Sequence, residues 1–123
     1  MSTENTYNGW SNYETWAWNL WIDNDEGWQE QTREAAEQCY RDARDGDAYE
    51  SQTREQAATY ALAQYLEQEC EDLQECFDLP TSGPFADLLG SAISRTMSRI
   101  DWYEIAEHWI SDLDPADFPI DNE

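Results

Sequence analysis

Apolar residues return every third or fourth position through most of this chain, and nowhere do β-branched and polar residues alternate over a strand's length. A period near 3.6 buries one stripe of a helix, whereas a half-buried strand needs a period of two. The sequence therefore predicts an all-α fold, a compact bundle of about five helices around an aromatic-rich core. At 123 residues it is expected to be one acidic helical domain, 1–123, with a flexible acidic tail from about residue 114.

Ser11-Asn12-Tyr13-Glu14 reads as a capping box opening a first helix, with Tyr13, Trp16, Ala17, Leu20 and Trp21 as its core stripe. Asp23-Asn24-Asp25-Glu26-Gly27 ends or bends it, with Asp23 and Asp25 available as caps. A second stripe follows at Trp28, Thr32, Ala35, Ala36, Cys39, Tyr40 and Ala43, closed by Asp45-Gly46 with Gly46 as a left-handed cap. The longest helix is expected from about Ser51 to about Phe77, carrying Ala58, Ala61, Leu62, Tyr65, Leu66, Leu73 and Phe77 inward. Pro84 suits the first position of a fourth helix, with Phe85, Leu88, Leu89, Ala92, Ile93, Met97 and Ile100 on one face. Asp101-Trp102-Tyr103-Glu104 resembles another capping box, and Trp102, Ile105, Ala106, Trp109, Ile110 and Leu113 form the fifth stripe.

Charge then limits function. Asp plus Glu number 28 against 6 Lys plus Arg, all of them arginine, for a formal net charge of -22. Such a surface repels nucleic acid and anionic membranes and attracts basic protein surfaces. Acidity of this size would signal disorder if apolar residues were scarce, but they make up 40%, with seven Trp and seven Tyr. No secretory leader pattern and no membrane-spanning run is read, so a soluble, cytoplasmic protein is expected. Cys39, Cys70 and Cys76 form no paired framework and suit a reducing compartment.

The acid is not evenly spread. Glu67, Glu69, Glu71, Asp72, Glu75 and Asp78 crowd the C-terminal part of the longest helix, where the macrodipole is negative and like charges a turn apart repel. Glu30, Glu34 and Glu37 lie opposite the core stripe of the second helix. These nine residues are the candidate partner-binding set. No catalytic, cofactor-binding or metal-binding set is assembled. The Asp23–Asp25 turn lacks the glycine a calcium loop needs, and His108 with Cys70 and Cys76 falls a ligand short of a zinc site. No phosphate loop or catalytic triad is present, so no enzyme and no cofactor are expected.

The run Tyr7-Asn8-Gly9-Trp10-Ser11-Asn12-Tyr13-Glu14-Thr15-Trp16, followed by Leu20-Trp21-Ile22-Asp23-Asn24-Asp25, resembles the opening signature of small acidic proteins carried by phages, plasmids and other mobile elements. A weaker similarity returns at Asp101-Trp102-Tyr103-Glu104-Ile105-Ala106 with Trp109. The resemblance implies a mobile-element setting without a mechanism. In charge and size the chain is similar to phage and plasmid DNA mimics that block restriction or CRISPR proteins, although no motif of the plasmid antirestriction family is present. The expected partner is thus the basic DNA-binding groove of a host defence protein, with a homodimer possible and no direct nucleic acid or membrane contact. The alternative is a mobile-element adaptor that binds through exposed aromatics such as Trp18, with the acidity serving solubility or salt adaptation, and Trp18 and Ile22, off the main stripe, are the candidates for a dimer or partner contact. A small metal-dependent enzyme using the Asp23–Asp25 turn is a third reading.

Overall fold

Five helices account for the architecture seen in a computed structural model, which describes residues 7–75 and 82–119, apart from the side chains of 73–75 and 85. They are α1 (Tyr13–Asn24), α2 (Glu26–Asp42), α3 (Arg54–Glu75), α4 (Pro84–Arg99) and α5 (Trp102–Ser111). Among the described residues there is no strand, only an isolated bridge between Tyr7 and Trp10. Asn8 and Gly9 close that bridge in the left-handed region, at φ 50° and 92°. Asn-Gly is the pair such a tight two-residue turn demands.

The core lies where α3 packs between α2 and α5. Leu62 and Ala58 of α3, Ala36 and Tyr40 of α2, and Ile105, Ala106 and Ile110 of α5 are all buried. The helices α2 and α3 run antiparallel, since Gln31 bonds to Tyr65 and Glu69 at one end while Arg54 reaches Tyr40 at the other. Arg54 ties three segments together. Its guanidinium lies 4.4 Å from the Tyr40 ring centroid, and it donates to the carbonyls of Tyr40, Ala43 and Phe118.

Several expectations are corrected at this level. The cap of α1 is Asn12, whose side chain accepts the Thr15 amide, while the Ser11 amide donates to the Glu104 carboxylate of α5. A distant carboxylate thus does what Glu14 was expected to do, and Glu14 turns instead to Arg99 at 3.2 Å. The inward face of α1 is Thr15, Asn19 and Ile22, not the aromatic stripe, and Tyr13 and Trp21 are exposed. Thr15 and Asn19 can be buried because α5 satisfies them. The Thr15 hydroxyl accepts the Asp101 amide at 2.9 Å and donates to Asn12, and Asn19 accepts the Trp109 indole N–H at 2.9 Å.

Trp18 and Ile22, expected outside, face inward. Ile22 belongs to the core, and Trp18 meets Trp102 edge-on at 5.4 Å. On α3, Ala61 is exposed, while Cys70 takes a core place. Leu73 has no described side chain, and Phe77 lies outside the described residues. The second helix stops at Asp42, with Ala43 extended, so Gly46 turns a loop and does not cap the helix. The stretch from Asp114, expected to begin a flexible tail, packs back as far as Phe118. A 3-10 turn at Pro115–Asp117 delivers that ring to Tyr40, at 5.4 Å, and beneath the Arg41 guanidinium.

Candidate functional site

Helix α2 starts without a loop, because Asp25 ends α1 and its carboxylate accepts the Trp28 amide. With Thr32, Ala36 and Tyr40 turned inward, Glu30 and Glu34 are carried to the exposed side, and Glu37 is half-buried. On α3 the burial of Leu62, Leu66 and Cys70 sends Glu67 and Glu71 outward in the same way. Asp72 is exposed and accepts from Gln68. Glu75 is the last residue of α3, but its side chain is not described, and Asp78 lies outside the described residues.

Other carboxylates have structural work. Asp25, Asp101 and Asp114 cap helical turns, Asp45 accepts the Arg54 amide at the start of α3, and Asp47 accepts the Arg44 amide in the loop before it. Glu14 is held below its ordinary value by its own backbone amide, against partial burial, with further help from Arg99. By contrast, among the described residues no hydrogen bond reaches the side chains of Glu30, Glu34, Glu67 or Glu71.

Glu69 departs from this set. It falls on the seam with α2, where its carboxylate accepts from Gln31 at 3.3 Å, and the same amide nitrogen donates to the Tyr65 hydroxyl at 2.9 Å. It is set apart from Glu67 and Glu71 on that seam, and its side chain is among those lining a partly open cleft of about 590 Å³ between α4 and helices α1, α2 and α3. Trp18 and Trp21 line this cleft from α1, Trp28 from α2 and Tyr65 beside Glu69 from α3. Ile93 and Met97 of α4 form the facing wall.

A family model described as a family of unknown function, DUF7249, matches residues 3–114. The chain belongs to the DUF7249 family. No curated protein and no solved structure matches it.

In this DUF7249 chain, no group of three or more His, Cys, Asp or Glu among the described residues is placed to hold a metal ion. His108 sits on the exposed side of α5 with its ring 5.2 Å from Trp10, whereas Cys70 is in the core, its thiol pushed up to about 11 by burial and by Glu71 and Glu67. The Asp23 carboxylate accepts from Asn19 and that of Asp25 from Trp28, so both serve helix ends. No helix among the described residues is long and apolar enough to cross a membrane.

Neither the cleft nor the grouping of Gln31, Trp28 and Tyr65 is legible in the sequence. One signal was available for Glu69. It continues the stripe of Leu62 and Leu66 at i+7 and i+3, so a carboxylate was being carried to the apolar side.

Proposed function

We propose that this DUF7249 protein is a DNA-mimic inhibitor of a host defence nucleoprotein of the anti-restriction or anti-CRISPR kind. It would occupy the basic groove with carboxylate faces and act stoichiometrically, inside the infected or plasmid-bearing cell. The observation that carries the reading is that Glu30, Glu34, Glu67 and Glu71 are exposed on two contacting antiparallel helices and, among the described residues, no hydrogen bond engages their side chains. Like charges one turn apart sit about 5–6 Å from each other and destabilise a helix. Unused charge kept at a destabilising position fits a binding role.

Size is compatible. The 22 residues of α3 span about 33 Å, close to one turn of duplex, about 34 Å. Phosphates recur about every 3.4 Å along each strand, so helical carboxylates sample that charge more sparsely. A groove of Lys and Arg accepting this face would release its own counterions, as it does on binding DNA.

The test is capture from lysate of a defence-competent host at rising salt, with duplex added as competitor. Recovery of one basic DNA-binding complex, lost with salt and displaced by duplex, supports mimicry. The double reversal Glu67→Lys with Glu71→Lys should leave the fold as stable or more so while abolishing inhibition. Unchanged inhibitory potency would refute the assignment.

A second reading is favoured by one observation. Trp21 is 73% exposed and Tyr13 54%, which is unusual for rings of this size and suits an adaptor contact. A partner held through high salt and released by Trp21→Ser would support that reading over mimicry.

A further inference from the structure

The cleft beside α4 makes no use of the outer carboxylates, and its chemistry points elsewhere. At about 590 Å³ it falls within the range of small-molecule sites. None of the six arginines lines it, and among the described residues Glu69 is the one charged side chain that does. An anion entering would meet that carboxylate inside a chain of net charge -22. A strongly polar neutral molecule would lose its hydration against apolar walls. What remains is a molecule apolar over most of its surface, and the Glu69 carboxylate favours one that is positively charged over one that is neutral.

The aromatic lining favours the same class. Three tryptophans and a tyrosine bound the space, and indole is the strongest ring partner for a cation. Gln31 fixes Tyr65 and Glu69 side by side, setting one ring and one counter-charge in fixed relation. On the facing wall no described side chain of α4 is buried, and Ile93 and Met97 are only half-covered. The cleft walls thus leave apolar surface uncovered, which an occupant would complete.

We propose that this cleft binds a lipophilic organic cation, a quaternary ammonium with apolar substituents, with Trp18, Trp21, Trp28 and Tyr65 around it and Glu69 as its counter-charge.

Calorimetry on the intact protein tests this with decyltrimethylammonium, decanol and decanoate below their micelle or solubility limits. About 0.5 M NaCl screens the exposed carboxylates. Saturable one-to-one binding of the cation is expected, at least about tenfold tighter than decanol, with decanoate bound more weakly still. Glu69→Gln keeps shape and packing and should remove most of that preference, leaving decanol affinity unchanged; Glu34→Gln on the outer face should alter neither. Equal affinity for cation and decanol would mark a merely apolar pocket. A dimer that loses binding capacity on concentration would mark a second copy as the occupant. Either result overturns the proposal, as does an unaltered preference in Glu69→Gln or the absence of saturable binding.

Discussion

Thr15 shows how polar residues specify this fold at the scale of single side chains. It is fully buried, and its hydroxyl bridges the cap of α1 and the first amide presented by Asp101 at α5. Thr15→Val keeps the shape but strands the Asp101 amide, so a loss of about 1–3 kcal/mol is expected by denaturant titration. Tyr13→Ser, two residues away, should change stability by no more than about 0.5 kcal/mol, because that ring is 54% exposed. Hydrophobicity alone ranks these two sites in the opposite order, which is why the α1 stripe was not legible. The sequence offers Trp and Tyr at helical spacing, while the bonds that let Thr15 and Asn19 replace them come from residues about ninety positions away. Cys70 gives a second prediction at this scale. A thiol pushed up from 9.0 to about 11 favours the folded chain while it stays protonated. That contribution is present below the unfolded value and is lost as pH rises through about 11. At about pH 8.5, iodoacetamide labelling of Cys70, followed by mass spectrometry, should therefore track unfolding and rise sharply in denaturant.

Among the elements, α2, α3 and α5 were legible because their inward faces are regular and mostly apolar, and α1 was not because two of its three buried residues, Thr15 and Asn19, are polar. Boundaries followed local chemistry where that chemistry was read. Pro84 opens α4 and Asp101 caps α5, as their residue types require. One signal in plain view was passed over. Thr53-Arg54-Glu55-Gln56 is a complete capping box, with the Gln56 amide donating to the Thr53 hydroxyl at 3.1 Å and the Thr53 amide to the Gln56 side chain at 3.0 Å. It places the start of α3 at Arg54, three residues beyond the expected Ser51. Thr53→Ala should cost about 1 kcal/mol by thermal or chemical unfolding, and Thr53→Ser should be nearly neutral. Of the candidate acid faces, the placement of Glu30, Glu34, Glu67 and Glu71 was legible from the apolar stripes beneath them. The cleft was not, because it depends on where α4 comes to lie, and no periodicity encodes that.

For the whole molecule, charge is the dominant background. With a net charge of -22 the folded chain repels itself, and dissolved ions relieve that repulsion more in the compact state than in the expanded one. Raising NaCl from about 0.02 to 0.5 M should therefore lift Tm by several degrees, as read by circular dichroism. The double reversal at Glu67 and Glu71 should show a smaller rise, since four units of charge are already relieved.

Asp25 has a further consequence for how such a chain can vary. One residue ends α1 and begins α2, so there is no slack between them. A single inserted residue would turn the whole of α2 by about 100° relative to α1, swinging its apolar stripe out of register with the core. The stretch between Asp42 and Arg54 carries no such phase constraint at its exposed turns. Length variation among related sequences should accumulate there and stop at Asp25, and a peptide tag inserted after Asp47 should be tolerated where the same tag after Asp25 is not.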